Sequence, residues 1–181
     1  NPELHREFEI GLETKLFRNR VTLETSLYKR VSEDQIVASP LNLSSGFDTQ
    51  FINLGQVDNK GIEVDLGIDI FKREDFNWNM RNIFTAEESL VVKTTETGGI
   101  IQLNADRVAA EGHPLNAIFG TYAVRDANGN LLVRGGTGTQ VGRLIRSTDV
   151  QSLPDEKVIG DPNPDWRLTN IHSVSYKNFT F

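Results

Sequence analysis

Gly61-Ile62-Glu63-Val64-Asp65-Leu66-Gly67-Ile68-Asp69-Ile70-Phe71 decides the fold class. Ile62, Val64, Leu66, Ile68 and Ile70 alternate with Glu63, Asp65, Gly67 and Asp69. Successive side chains of a strand point to opposite faces, so this stretch makes one face aliphatic and the other acidic. A helix would mix the two sets. The alternation predicts a strand near 61–71.

The design recurs outward from there. Phe8, Ile10, Leu12 and Leu16 alternate with Glu7, Glu9, Gly11, Glu13 and Lys15, predicting a strand near 6–16. Val21, Leu23, Thr25 and Leu27 against Thr22, Glu24, Ser26 and Tyr28 predict another near 21–30. Phe76, Trp78, Met80 and Phe84 with Asn77, Asn79 and Arg81 predict one near 76–85. A last pair is expected from 167–176, the dipeptide Lys177-Asn178 and Phe179-Thr180-Phe181.

The connections are of two kinds. Phe17-Arg18-Asn19-Arg20, Lys72-Arg73-Glu74-Asp75 and Lys177-Asn178 are tight polar turns, whereas long loops are expected near 29–60 and 85–166. Alternation of short and long connections puts every tight turn at one end of the sheet. Loops of this length are uncommon unless they carry function. Within the second, Asn128-Gly129 between Tyr122-Ala123-Val124 and Leu131-Leu132-Val133 signals a hairpin. Ala105 to Glu111 is compatible with a short helical turn, and Gly135 to Thr139 with a flexible tip.

Composition narrows the class. The chain has 181 residues, a net charge of −6, 38% hydrophobic residues and no cysteine. No run of apolar residues exceeds three, which excludes a membrane-spanning helix but not a membrane strand, since that shows only alternate residues to lipid. The acidic excess argues against a nucleic-acid partner. Without cysteine there is no disulfide, thiolate zinc site or cysteine nucleophile. The chain opens on Asn1 without a signal-peptide pattern, so a piece of a longer protein is expected.

Two architectures share this pattern. A soluble extracellular all-β module, such as a carbohydrate-binding sandwich, would turn the aliphatic faces inward. A large membrane barrel would turn them to lipid and the acidic faces to a watery lumen. Strands of about ten residues match a tilted membrane crossing, while strands of soluble sheets run nearer five or six. Tyr28, Phe71, Phe76, Trp78, Phe84, Trp166, Tyr176 and Phe179 gather near strand ends, as interfacial aromatic girdles do. The expected fold is therefore all-β, an antiparallel and partial transmembrane barrel with short periplasmic turns and long extracellular loops.

No catalytic, metal or cofactor-binding residue is assigned. Asp126-Ala127-Asn128-Gly129-Asn130 resembles a calcium loop, but glycine stands at the fourth position instead of the sixth and Thr137 occupies the twelfth, so a turn is expected. Asp161 and Asp165 could form an acid–base pair, yet Pro162 and Pro164 between them suit the opening of a strand better. His5, His113 and His172 are too scattered for a metal site, and His172 is expected at the lumen or the lipid interface. Gly136-Thr137-Gly138 lacks the second half of a nucleotide motif. Phe47, Phe51, Phe119, Tyr122 and Trp166, with Asn42, Asn53 and Asn116, could stack on and hydrogen-bond a sugar; packing within the loops explains them equally, and substrate contacts stay open.

Six motifs then carry a family resemblance in chain order. They are Asn1-Pro2-Glu3-Leu4 with Glu7 to Leu12; Phe17-Arg18-Asn19-Arg20 with Tyr28-Lys29-Arg30 and Asp34-Gln35-Ile36; and Asn53 to Glu63, containing Asn59-Lys60-Gly61-Ile62-Glu63. The others are Gly112-His113-Pro114-Leu115 with Phe119-Gly120-Thr121-Tyr122; Asp126 to Asn130; and Gly160 to Trp166 with Tyr176-Lys177-Asn178-Phe179. Together they resemble the barrel of SusC/RagA-type TonB-linked outer-membrane transporters. The resemblance implies a segment from the C-terminal part of a plugged barrel of roughly 22 strands, without the plug itself. It also implies outer-membrane lipid around the wall of a Gram-negative cell, a SusD-like surface lipoprotein as lid, energy through TonB, and an oligosaccharide or peptide as cargo.

Overall fold

The computed structural model describes residues 2–181, so Asn1 of the first motif lies outside the described residues. Ten strands follow in order: β1 (Leu4–Leu16), β2 (Val21–Pro40), β3 (Thr49–Lys72), β4 (Phe76–Lys93), β5 (Ile100–Asn104), β6 (Arg107–Ala110), β7 (Ala117–Gly120), β8 (Lys157–Gly160), β9 (Arg167–Tyr176) and β10 (Phe179–Thr180). All pairings are antiparallel. Six strands form a large open sheet in the order β1-β2-β3-β4-β9-β10, and four form a small one, β5-β6-β7-β8. The large sheet does not close on itself: it is an arc of a barrel.

Register converts the alternation into two chemically distinct faces. Ile10, Leu27, Ile62 and Ala86 stand side by side across four strands, and Leu12, Thr25, Val64, Phe84 and Leu168 across five. One residue along, Glu13, Glu24, Asp65, Ile83 and Thr169 form a row on the opposite face. A slip of one residue would exchange the faces, so the pattern specifies the register strongly.

The aliphatic face has no cover. Phe8, Ile10 and Leu12 are 70%, 60% and 61% exposed, and Ile62, Val64, Leu66 and Ile68 are absent from the buried core. A soluble sandwich needs these residues interlocked inside; they form instead an open apolar band. From Ile62 to Phe71 the band is roughly ten residues long, about 25 Å tall at the usual barrel tilt, close to the apolar height of an outer-membrane barrel. Aromatics mark its short-turn end, where Phe71 packs on Phe76 at 5.8 Å and on Trp78 at 6.1 Å between ring centres. Charges mark the other end: Lys60 meets Glu88 at 2.9 Å, Lys29 meets Asp58 at 3.5 Å, and Arg6 pairs with Glu33. The polar side chains within the band pair with one another. Asn170 donates to Asn82, and the Trp78 indole donates to His172 Nδ1 at 3.0 Å. Such pairing limits the cost of polar groups in hydrocarbon.

The true core lies beyond the charged rim. Leu54, Val57, Val91, Ile101 and Ala109 are buried together, with Val37, Ile52, Leu103 and Leu115 against them. A smaller cluster of Val108, Ala110 and Ala117 packs with Phe119 and Val158. The small sheet thus rests on the outer lengths of β2, β3 and β4.

This arrangement corrects three expectations. The connection placed at 29–60 is mostly strand: β2 runs to Pro40, β3 restarts at Thr49, and only 41–48 joins them. The alternation fades there because Leu54 and Val57, three residues apart, enter the same cluster, across a register shift between Gln56 and Val57. The connection placed at 85–166 begins later, because β4 continues to Lys93, and it contains the whole small sheet. The helical turn at Ala105 to Glu111 is replaced by β6, whose Val108, Ala109 and Ala110 are all buried between the two clusters. A single helical turn would not bury three consecutive residues while pairing with strands on both sides.

Candidate functional site: the polar face and the long-loop end

The polar face of the large sheet is acidic and ordered by local pairs. Arg30 contacts Glu7 at 2.8 Å, and Arg81 Nε lies 2.9 Å from both carboxylate oxygens of Asp65. Asn79 donates to Asp69 at 3.0 Å, and Arg20 donates to the carbonyls of Asp69 and Ile70 at 3.0 and 2.9 Å. Glu9, Glu24 and Glu63 stand on the same face. The carboxylates and guanidiniums of this face are exposed and keep their water, with Ile83 and Ile171 the apolar side chains beside them on β4 and β9.

Two glycines of this wall have steric reasons. A Cβ on Gly61 would come within 2.6 Å of the Tyr28 ring, and one on Gly67 within 2.5 Å of Thr22 Oγ1. Tyr28 therefore covers Gly61 directly across the strand pair. The glycine of the Asn59-Lys60-Gly61-Ile62-Glu63 motif is a socket for a tyrosine.

The aromatics and amides expected near the loops scatter. Phe47 and Phe51 are 70% and 77% exposed around the 41–48 connection. Asn42 accepts from the Ser44 amide at 3.1 Å, and Asn53 donates to the Asp34 carbonyl at 2.7 Å. Phe119 packs on the smaller cluster. Trp166 stacks on Phe84 at 6.4 Å, on the apolar face instead of in the loops. Asn116 adopts a left-handed φ of 70° and lines a depression with Leu115, Asp161 and Asn163. Tyr122 lies beneath the Lys157 ammonium, 4.0 Å from the ring centre.

The other candidates have local roles. Asp161 accepts from the backbone and side chain of Asn163, both at 2.9 Å, which makes it a turn former. Asp126 accepts from the amides of Asn128 and Asn130 at 2.9 and 2.8 Å, and from the Asn130 side chain at 3.1 Å. Those bonds, the Asn130 side chain first, hold its carboxyl below the usual range. His5 bonds Ser32 at 2.9 Å, His172 sits against Trp78 on the apolar face, and the His113 carbonyl accepts from Val91 at 2.9 Å. Among the described residues no three His, Asp or Glu side chains are placed to hold a metal.

One further constellation carries no signal in the sequence. Arg134, Arg143 and Arg146 line one concavity of about 610 Å³ with Tyr122, Gln140 and Asp149. The segments that supply them close on each other in a ring of backbone bonds: Val124 donates to Ile145 at 2.8 Å, Ile145 to Leu132 at 3.0 Å, and Leu132 to Val124 at 2.9 Å. The glycine-rich stretch 135–142 turns back so that Arg134 donates to the Arg143 carbonyl at 2.9 Å. Asp149 accepts from the Arg146 amide at 2.9 Å and pairs with Arg134 at 2.7 Å. The amide first, and then the arginine charges, hold the Asp149 carboxyl low.

Comparison with known proteins places this geometry. The family model described as "TonB dependent receptor-like, beta-barrel" matches residues 1–181. TonB-dependent receptor P3 of Formosa agariphila is 27% identical over 194 residues, covering 98% of this chain and 19% of the receptor. TonB-dependent receptor P26 of the same organism is 28% identical over 206 residues, covering 100% of this chain and 20% of the receptor. The chain thus spans about a fifth of the curated relatives it matches. Among solved structures, that of the RagAB peptide transporter superposes with a TM-score of 0.74 at 22% identity, over 98% of this chain and 20% of that one. At that identity the likeness is one of fold.

Proposed function

This chain belongs to the TonB-dependent receptor-like β-barrel family, and from that premise we propose that it is a wall and mouth segment of an outer-membrane importer driven through TonB. The apolar band of β1 to β4 and β9 faces lipid, and the acidic face looks into the lumen. The tight turns at 17–20, 73–75 and 177–178 lie in the periplasm. The 41–48 connection and the 94–166 excursion lie outside the cell. Strands that close the barrel, and a plug that occludes it, belong to the parts of the receptor this chain does not span.

One observation carries the reading: a largely apolar row runs in register across five strands and remains uncovered, while the opposite face carries carboxylates along β1, β2 and β3. Only a medium without water makes such a face stable, and only a closed barrel satisfies the free edges of β1 and β10 in it.

The cargo in this proposal is an oligosaccharide or a peptide, captured at the long-loop end beneath a SusD-like lipoprotein lid. The shared fold with RagAB, itself a peptide transporter, favours the peptide, while the exposed Phe47 and Phe51 suit either. The role is passage and not catalysis. Uptake of labelled peptides and oligosaccharides by cells with and without the intact receptor, and with and without TonB, tests the proposal. Uptake should require both; uptake that survives loss of either overturns it.

A further inference from the structure

We propose that the concavity lined by Arg134, Arg143 and Arg146 is a binding site for an anionic group of the cargo, a carboxylate. That the ligand is cargo rests on the import reading; the site itself rests on this chain's own geometry.

Three arginines from two segments, Arg134 on one and Arg143 with Arg146 on the other, converge here in a chain whose net charge is −6 and whose lumenal wall is acidic. Like charges gather at a cost, and the only carboxylate lining the concavity is Asp149. That carboxylate is already engaged by Arg134 and by the Arg146 amide. Arg143 is exposed and has no side-chain hydrogen bond or ion pair among the described residues. A guanidinium presents a planar fork of donors that matches a carboxylate edge, so an unengaged one beside two others offers an anion both charge and geometry. Lys157 over the Tyr122 ring adds a further cation at the rim.

The scaffold is suited to hold such a site still. The closed ring of bonds among Val124, Leu132 and Ile145 fixes three backbones. Ser147, fully buried, ties the floor by accepting from the Tyr122 amide at 3.2 Å and donating to the Asp155 carbonyl. A volume of about 610 Å³ lies within the range of small-molecule sites and admits two or three sugar rings or a short peptide end. The opposite signs of mouth and lumen also make functional sense. An anion is drawn to the arginines from outside, and the acidic wall below offers it no second resting place.

The test is equilibrium binding to the intact receptor in detergent, with four probes. A galacturonic-acid trisaccharide and its neutral galactose counterpart form one pair; a tetrapeptide with a free C-terminal carboxylate and its amidated form are the other. At least one acidic probe should bind ten-fold or more tightly than its neutral twin, weakening as salt rises, and the pair that does so identifies the source of the anion. Arg143→Ala should remove most of that preference, Arg143→Glu should remove all of it, and Arg143→Lys should retain part. Arg143 has no side-chain partner among the described residues, so these variants should keep the wild-type proteolytic pattern, and Arg143→Gln serves as a second uncharged variant. Equal binding of acidic and neutral probes, or a preference that survives Arg143→Glu, overturns the inference. Import of neutral cargo through TonB with no such preference would overturn this site and leave the proposed function standing; a clear preference in a receptor that imports nothing would do the reverse.

Discussion

The ring of Tyr28 lies over Gly61 on the neighbouring strand, so close that a methyl group in place of the glycine hydrogen would sit 2.6 Å from it. The tyrosine caps a position where the sheet has no side chain, and it fills the gap between Glu9 and Glu87 in the same row. Tyrosine and glycine therefore form one unit of the lumenal wall.

Gly61→Ala should force the tyrosine out of its seat and destabilise the assembled barrel by about 1–3 kcal/mol, as overpacking does. Gly61→Val should cost more. Tyr28→Ala alone should cost less than Gly61→Val, and Tyr28→Ala should rescue Gly61→Ala in part. Urea titration of the folded receptor, read by gel mobility before and after heating, checks all four. Equal stability of Gly61→Val and wild type would remove the steric account.

The aliphatic side of 61–71 was legible because everything it faces is one medium, so period two runs without interruption. Tyr28 and Gly61 were visible as residues but not as partners, since partnership needs register. The lengths of β2 and β3 beyond the rim read as loop because their apolar residues answer to a folded neighbour on one side only. Leu54 and Val57 break the period to reach it. The arginine site had no local signature at all. Arg134 and Arg143 meet only because glycines at 135, 136, 138 and 142 let the chain reverse, with φ of 94°, 123° and 78° at the last three.

The extramembrane core should be separable from the barrel. Leu54→Ala removes a fully buried side chain from the cluster shared with Val91 and Ile101, and should cost about 2–5 kcal/mol locally. The 94–166 excursion should become sensitive to added protease while the barrel keeps its heat-modifiable mobility. Loss of both together would mean that the small sheet and the barrel are one cooperative unit.

The Arg81–Asp65 contact is bidentate but exposed to water. A double-mutant cycle with Arg81→Ala and Asp65→Ala should give a weak favourable coupling that shrinks at high salt, as it does for surface pairs. A strong coupling that salt leaves unchanged would mean that the lumen beside this pair is dry.

The hairpin at Asp126 to Asn130 should respond to acid. Its carboxyl is held low in the folded state, so the stabilisation is fully present above the ordinary carboxylate pKa and is lost as pH falls through the lowered value. Asn130→Ala removes the largest cause and should move the loss to higher pH. Titration followed by proteolysis at the hairpin measures both. An unchanged midpoint in Asn130→Ala would contradict the assignment.

The most direct test of the two-faced strand uses the lack of cysteine in this chain, which lets single cysteines report without background from it. Cysteines introduced one at a time at Ile62, Glu63, Val64, Asp65 and Leu66 of the intact receptor in lipid vesicles would carry a fluorophore. Labels at 62, 64 and 66 should be quenched by brominated acyl chains and shielded from iodide, and labels at 63 and 65 should show the reverse. Quenching that ignores the alternation, or acyl-chain quenching at 63 and 65, would contradict the assignment of lipid to the aliphatic face.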